Sequence, residues 1–186
     1  MKPMWSKAVW EFIRIIRTED LPRILEIERV AYPKRPWTER EFVMTLKTSG
    51  VLGIVFLRDQ EVLGYAVYQL GKGTRIRILN IAVDPMHARK GIGTKLVEKL
   101  KDSLTYFQKK GLVGFTSEWN TGTHLFLKSQ GFKADKVFPS YYEGMEGTPS
   151  AYRFVYPELN ESLPTTKKEK DNACVDQETG GEDQDW

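Results

Sequence analysis

The segment from Arg75 to Gly111 constrains the fold more than any other. An apolar run, Arg75 to Val83, passes through Asp84-Pro85-Met86-His87-Ala88-Arg89-Lys90-Gly91-Ile92-Gly93-Thr94 into a helical pattern. A strand that feeds a glycine turn and then a helix is a building unit of layered α/β proteins. The helix reading is periodic: Ile92, Leu96, Leu100 and Leu104 recur every four residues, and Val97 and Phe107 lie beside them. Gly111 sits where a helix C-cap is expected. The two glycines therefore open the helix. First-turn N–H groups lack intrahelical acceptors, and the helix dipole adds positive potential worth up to about 2 kcal/mol for a well-placed anion.

Such a turn suits phosphate. Gly91 and Gly93 allow close backbone approach, and Arg89 and Lys90 add charged donors. The spacing excludes two common phosphate motifs. No Gly-x-x-x-x-Gly-Lys-Ser/Thr loop is present, which argues against a nucleoside triphosphate hydrolase. The dinucleotide fingerprint Gly-x-Gly-x-x-Gly fails at its third glycine, where Leu96 stands.

Other segments complete an α/β order. Glu11 to Arg17 reads as a strand, and Thr18 as the N-cap of a helix carrying Leu21, Ile24, Leu25, Ile27 and Val30. Thr38-Glu39-Arg40-Glu41 has capping-box form and starts a second helix with Phe42, Val43 and Leu46 on its buried face. Val51 to Leu57 and Val62 to Leu70 read as antiparallel strands, followed by the strand Arg75 to Val83. After the central helix come a strand near Leu112 to Thr116, a helix near Thr121 to Gln130 closed by Gly131, and strands near Phe132 to Phe138 and Ala151 to Tyr156. The expectation is a mixed, mostly antiparallel sheet of about seven strands with helices on both faces.

Composition bounds the rest. A chain of 186 residues that is 40% hydrophobic and 12% aromatic can bury a substantial core. No apolar run approaches the roughly 18 residues of a membrane span, and the N-terminus lacks a signal-peptide apolar region, so a cytoplasmic protein is expected. One cysteine, Cys174, excludes an intrachain disulfide framework and any multi-cysteine metal site. From Glu158 to Trp186 nine acidic residues face three basic ones, a net of about −6, so the remainder carries about +9 and the two together make the formal +3. Residues 1–157 therefore read as one domain, and 158–186 as an acidic tail expected to be disordered. The basic body suits an anionic ligand; no nucleic-acid module is recognisable, and nucleic acid is not expected as a partner.

The Asn80-Ile81-Ala82-Val83-Asp84-Pro85 strand, the Arg89-Lys90-Gly91-Ile92-Gly93-Thr94 loop and the later Asn120 and Gly131-Phe132 resemble the GNAT acetyltransferase superfamily. Within it the chain is most similar to the RimI-type ribosomal-protein N-terminal acetyltransferases, over roughly residues 12 to 156. The usual Gln/Arg-x-x-Gly-x-Gly/Ala loop begins here with Ala88, which removes one polar side chain and leaves the backbone cradle. The resemblance implies the GNAT fold, with the strand before the loop splayed from its neighbour. It implies acetyl-CoA as cosubstrate: main-chain groups of Ile81, Ala82 and Val83 along the pantetheine and thioester, Arg89, Lys90, Gly91, Ile92, Gly93 and Thr94 around the pyrophosphate, and Asn120 on the pantetheine arm. It implies an N-acetyltransferase acting on a protein N-terminus, with a ribosomal protein as a candidate acceptor; no metal is expected.

Acceptor residues carry over from the same resemblance. Ala31 to Thr38 stands where the group has a Phe-Pro-x-x-Trp loop that meets the incoming peptide, which assigns Tyr32, Pro33 and Trp37. Tyr141 and Tyr142 match paired tyrosines on the opposite side. Glu28, on the helix near this wall, is a candidate for the substrate ammonium, against the alternative of an ordinary solvated glutamate.

The pattern breaks at the proton-transfer positions. A glutamate five residues before the asparagine and a tyrosine seven after it are replaced by Phe115 and Leu127. Glu118 and Tyr142 are then the catalytic candidates, and His124 lies on the same helix as a solvent-facing alternative. The loss bears on the acceptor. Deprotonating a lysine amine at pH 7 costs about 4.6 kcal/mol, an α-amine only about 1 to 1.4 kcal/mol. An α-amine needs less help from a base, and proximity and main-chain oxyanion donors supply the remainder. Acetylation of a small amine or a lysine, or a silent coenzyme A-binding module, are the alternatives.

Overall fold

The computed structural model describes residues 10–142 and 147–156. The expected domain end at residue 157, the acidic tail and Cys174 lie outside the described residues.

The chain runs β1 (Glu11–Ile15), α1 (Leu21–Ala31), α2 (Glu39–Lys47), β2 (Val51–Arg58), β3 (Glu61–Gln69), β4 (Arg75–Val83), α3 (Ile92–Tyr106), β5 (Gly111–Ser117), α4 (Thr121–Ser129), β6 (Lys133–Phe138) and β7 (Ala151–Tyr156). Short 3-10 turns precede α1 and follow β4. The strands form the expected single mixed sheet of seven strands, in the order β1-β2-β3-β4-β5-β7-β6. Every neighbouring pair is antiparallel except β4 and β5.

Apolar residues on both sheet faces explain the helix layers. Ile92, Leu96, Val97 and Leu100 of α3 and Leu127 of α4 pack on Ile54, Phe56, Ile76, Ile78 and Leu112. Leu21, Ile24, Leu25 and Ile27 of α1 and Phe42 of α2 pack on Val55, Tyr65, Val67 and Ala82 of the opposite face. Among the described residues no helix is long and apolar enough to cross a membrane.

Two helix ends correct the sequence reading. Thr18 does not cap α1: Thr18–Asp20 forms the 3-10 turn, and Asp20 takes the capping position without a side-chain bond to the helix. The Asp20 carboxylate is held instead by Arg14 at 2.6 and 2.8 Å and by the Arg17 amide at 2.7 Å. Nor does Gly111 stop α3. The helix ends at Tyr106, and Gln108, with φ at +53°, takes the left-handed position that glycine usually fills. The Gln108 amide donates to Thr105 O at 3.2 Å and the Lys109 amide to Leu104 O at 2.8 Å, the paired bonds of a Schellman motif. Gly111 is freed to begin β5. The close of α4 follows the expected pattern, with Gly131 at φ +79°.

The Thr38 capping box forms as expected. Thr38 Oγ1 accepts the Glu41 amide at 3.2 Å, and Glu41 Oε2 accepts the Thr38 amide at 2.6 Å. Thr38→Ala removes one half of this exchange at an exposed helix start. The expected cost is about 1 kcal/mol, or a melting temperature lower by about 2 to 4 °C for a protein of this size. Thermal unfolding followed by circular dichroism measures it, and an unchanged midpoint contradicts the cap's contribution.

Candidate active site

The site begins where β4 stops pairing with β5. The parallel ladder joins Arg75–Gly111, Ile76–Leu112, Arg77–Val113 and Ile78–Gly114 and then ends, although β4 continues to Val83 and β5 to Ser117. On its other edge β4 shifts register against β3, pairing Tyr68 with Ile78 and Val67 with Asn80. Leu79 is the extra residue of this bulge, and a bulge bends the strand that carries it. The strands therefore part just after the bulge. The Asp84 amide donates to Leu63 O at 2.8 Å, so alternate residues bond to β3 and the main-chain groups of Ile81 and Val83 face the gap.

A cavity of about 820 Å³ fills this gap. Its lining includes Glu28, Tyr32, Pro33 and Trp37 from α1 and the loop after it, Ile81 from β4, Asn120 from the start of α4, and Tyr141 and Tyr142 from the β6–β7 connection. Eight of the expected site residues thus meet. Tyr32 donates its hydroxyl to Ile81 O at 2.5 Å. Trp37 packs edge-on against Phe42, with centroids 5.1 Å apart, so it both lines the cavity and folds onto the core. Asn120 Oδ1 accepts the Thr123 amide at 3.1 Å and caps α4.

Glu28 departs from the solvated alternative. It is 1% exposed, and Oε1 accepts the Trp37 amide at 2.8 Å and Asn80 Nδ2 at 3.1 Å, while Oε2 accepts the Tyr65 hydroxyl. Burial raises its pKa, and these three donors oppose the rise without cancelling it. Burial likewise raises the Tyr65 and Tyr32 phenols, with the Glu28 charge adding to both. Tyr142 is pushed up to about 12, first by burial and then by Tyr141, so it keeps its proton near neutral pH.

Glu118 and His124 lie elsewhere. The exposed Glu118 carboxylate accepts the Ser150 amide at 2.7 Å, tying β5 to the approach of β7, and does not line the cavity. Its direct role as base is corrected accordingly. His124 is not turned to solvent: Nε2 lies 3.0 Å from Ser117 O, and the ring packs on Tyr152 and Phe154 at 5.2 and 5.3 Å.

The two positions that lost proton-transfer groups do line the cavity. Phe115 stacks on Tyr141 with centroids 5.7 Å apart and planes within 6°, and the Arg77 guanidinium lies 5.1 Å above its ring. Arg77 Nη2 also reaches the Tyr141 hydroxyl at 3.3 Å. Phe115 is therefore the floor of an aromatic wall. Leu127 belongs to the apolar core under α4.

The glycine turn lies beyond this cavity lining, at the far end of the same strand. Asp84 anchors it: Oδ1 accepts the Met86 amide at 2.9 Å and Oδ2 pairs with Arg23 at 2.5 Å. Burial opposes ionisation of Asp84, yet these donors and His87 hold its pKa below the usual value. Gly91 caps α3 with φ at +80°, and an added Cβ there meets nothing within 4 Å. Gly93 is needed for packing, since a Cβ would come 3.2 Å from the Phe126 ring. The Lys95 amide donates to Gly91 O at 3.0 Å, so the amides of Ile92, Gly93 and Thr94 have no intrahelical acceptor. Arg89 and Lys90 are exposed beside them. An open left-handed glycine, three directed amides and two cations fit a diphosphate.

Sequence reasoning missed Tyr65, Asn80, Arg77 and Thr116. Asn80 carried a signal, as a lone amide within the apolar run Ile78-Leu79-Asn80-Ile81-Ala82. Arg77 and Thr116 become visible only through the strand pairing that places them in the cavity lining, and Tyr65 only through its hydroxyl bond to Glu28.

Comparison with known proteins agrees with this geometry. The model of the Acetyltransferase (GNAT) family matches residues 10–132. The [Ribosomal protein bS18]-alanine N-acetyltransferase of Salmonella typhimurium is 30% identical over 150 residues, covering 78% of this chain and 96% of that protein. Its Escherichia coli counterpart is 29% identical over the same shares. The crystal structure of the ribosomal-protein-S18-alanine N-acetyltransferase from Escherichia coli superimposes with a TM-score of 0.70 at 26% identity, over 83% of this chain and 99% of that one. A GNAT family acetyltransferase from Elizabethkingia anophelis with acetyl-CoA bound shares the fold at a TM-score of 0.62 and 17% identity, over 78% and 96% of the two chains. With a split β4–β5 pair, a glycine turn opening α3 and a family match across most of the sheet, this chain belongs to the GNAT family of acetyl-CoA-dependent N-acetyltransferases.

Proposed function

We propose that this chain moves the acetyl group of acetyl-CoA onto the α-amine of a protein N-terminus. The observation that carries the reading is the buried Glu28 carboxylate in a cavity walled by Tyr32, Trp37, Tyr141 and Tyr142. A single chain end can enter such an aromatic cleft, and its ammonium is the group a buried carboxylate favours. The relatives named as acting on the alanine of ribosomal protein bS18 support an N-terminal acceptor, and a ribosomal protein is the first candidate. A cytoplasmic setting belongs to the same reading.

The residue roles follow from position. Amides of Ile92, Gly93 and Thr94, with Arg89 and Lys90, hold the pyrophosphate; main-chain groups of Ile81 and Val83 guide the pantetheine, with Asn120 across the gap, whereas the expected part of Ala82 falls away because its main chain is turned to β3. Tyr32, Pro33, Trp37 and Tyr141 receive the peptide. Glu28 accepts the proton that leaves the ammonium, and Asn80 and Tyr65 orient its two oxygens. Tyr142, still protonated, supplies a hydroxyl near the departing sulfur. The neutral amine attacks the thioester carbon, the carbon–sulfur bond breaks, and its electron pair leaves on sulfur.

Mass spectrometry of a peptide library incubated with acetyl-CoA tests the assignment. The expected product carries acetyl on α-amines. Modification confined to lysine side chains or small amines would replace the acceptor. Donor binding without turnover would favour the silent module to which Phe115 and Leu127 first pointed.

A further inference from the structure

Thr116 Oγ1 is a buried side-chain oxygen with no hydrogen-bond partner among the described residues, and it lines the cavity. The residue is 6% exposed. A native fold rarely leaves a buried hydroxyl orphaned, because the lost solvation is not recovered. An orphan at a cleft points to a ligand that completes it.

Strand alternation says which ligand. Successive β5 side chains face opposite sides of the sheet. Leu112 lies in the core under α3 and α4, and Gly114 and Thr116 share its parity. Phe115 faces the other way, into the wall formed with Tyr141. Thr116 thus stands on the sheet face where Leu112 packs with Leu127 of α4, opposite to Phe115, and lines the cavity together with Asn120 and Thr123. It lies beyond the last β4–β5 pair at Ile78–Gly114, where the gap is open.

We propose that Thr116 donates its hydroxyl proton in a hydrogen bond to the thioester sulfur of the donor and steadies the thiolate as it departs. The proposal rests on the acetyl-transfer reading above. Leu127, in the same cavity lining, offers sulfur no donor, and the Thr116 hydroxyl has no competing partner among the described residues. Its proton remains on oxygen throughout. The carbon–sulfur electron pair goes to sulfur, and a proton released by the attacking amine completes the thiol.

Two substitutions separate this role from a structural one. Thr116→Val keeps the shape and removes the orphan, so the free protein should melt at the same temperature or higher. Its kcat should fall about tenfold, the factor that corresponds to about 1.4 kcal/mol of barrier, with KM for acetyl-CoA little changed. Thr116→Ser should restore most of kcat. A loss confined to KM, or no loss, would overturn the proposal. A second readout needs no acceptor: ultraviolet absorbance of the thiolate of bound coenzyme A, followed with pH. The wild-type protein should ionise that thiol about one pH unit below the valine variant; coincident titrations would overturn the proposal. Wild-type protein that fails to bind coenzyme A removes the acetyl-transfer reading itself, a result distinct from any difference between wild type and variant.

Discussion

Gly91→Asp should weaken acetyl-CoA binding at least a hundredfold while leaving the protein folded. Gly91 sits at φ +80°, where an L-residue pays about 1 to 2 kcal/mol in backbone strain. Space is no obstacle, since an added Cβ meets nothing within 4 Å. The decisive effect is charge. A carboxylate about 4 Å from a phosphate oxygen is repelled by about 4 kcal/mol at the effective dielectric of a protein surface. It also competes for the amides of Ile92, Gly93 and Thr94, an N-terminal position where acidic groups are themselves favoured. Gly91→Ala separates the two contributions, because it carries the strain without the charge; its affinity should fall less than tenfold. Isothermal titration with acetyl-CoA measures both, and added salt should recover part of the aspartate deficit by screening. Equal affinity in aspartate and wild-type proteins would remove the diphosphate from this turn.

The strands and helices were legible because their signals are local, whereas the insertion of β7 between β5 and β6 left no local signal. The period of Ile92, Leu96 and Leu100 and the alternation of Arg75 to Val83 each report burial of one face. The Thr38 box reports itself through two residues three apart. The end of α3 is misplaced because a glycine signal at 111 outweighs a glutamine at 108, although the local bonds to Thr105 O and Leu104 O accompany Gln108 in the left-handed region. Of the two catalytic candidates Tyr142 lines the cavity and Glu118 does not, for the same kind of reason. Glu118 is near Asn120 in sequence, but the β5–β7 ladder turns its carboxylate toward Ser150. Glu28 is far from that segment along the chain and lines the same cavity as Asn120. Its three partners come from the α1–α2 loop, β3 and β4. No spacing rule announces a constellation assembled by sheet pairing.

Glu28→Gln should lower kcat/KM at neutral pH by about a hundred- to a thousandfold, within the range for loss of a proton-transfer group. The change preserves the local bonds. The glutamine oxygen can accept from the Trp37 amide and Asn80 Nδ2, and its NH2 faces the Tyr65 hydroxyl, which can turn to accept. Stability gives the first check. Because burial raises the Glu28 pKa, the folded protein holds that proton more tightly than the unfolded chain. The contribution is fully present below the ordinary carboxylate value and is lost as pH rises through the raised one. The glutamine variant lacks this loss, so its stability relative to wild type should grow across that window and then level off. The rate profile gives the second check. In the wild-type enzyme an ionised Glu28 takes the proton of a bound ammonium, so the acidic limb of kcat/KM follows the raised carboxyl. In the variant the amine must arrive neutral, and the limb should move to about 7.7 to 8.0, the range of a free α-amine. The deficit should therefore shrink as pH climbs past that value. A deficit constant across pH would mean that Glu28 holds Trp37 and Asn80 in place and moves no proton.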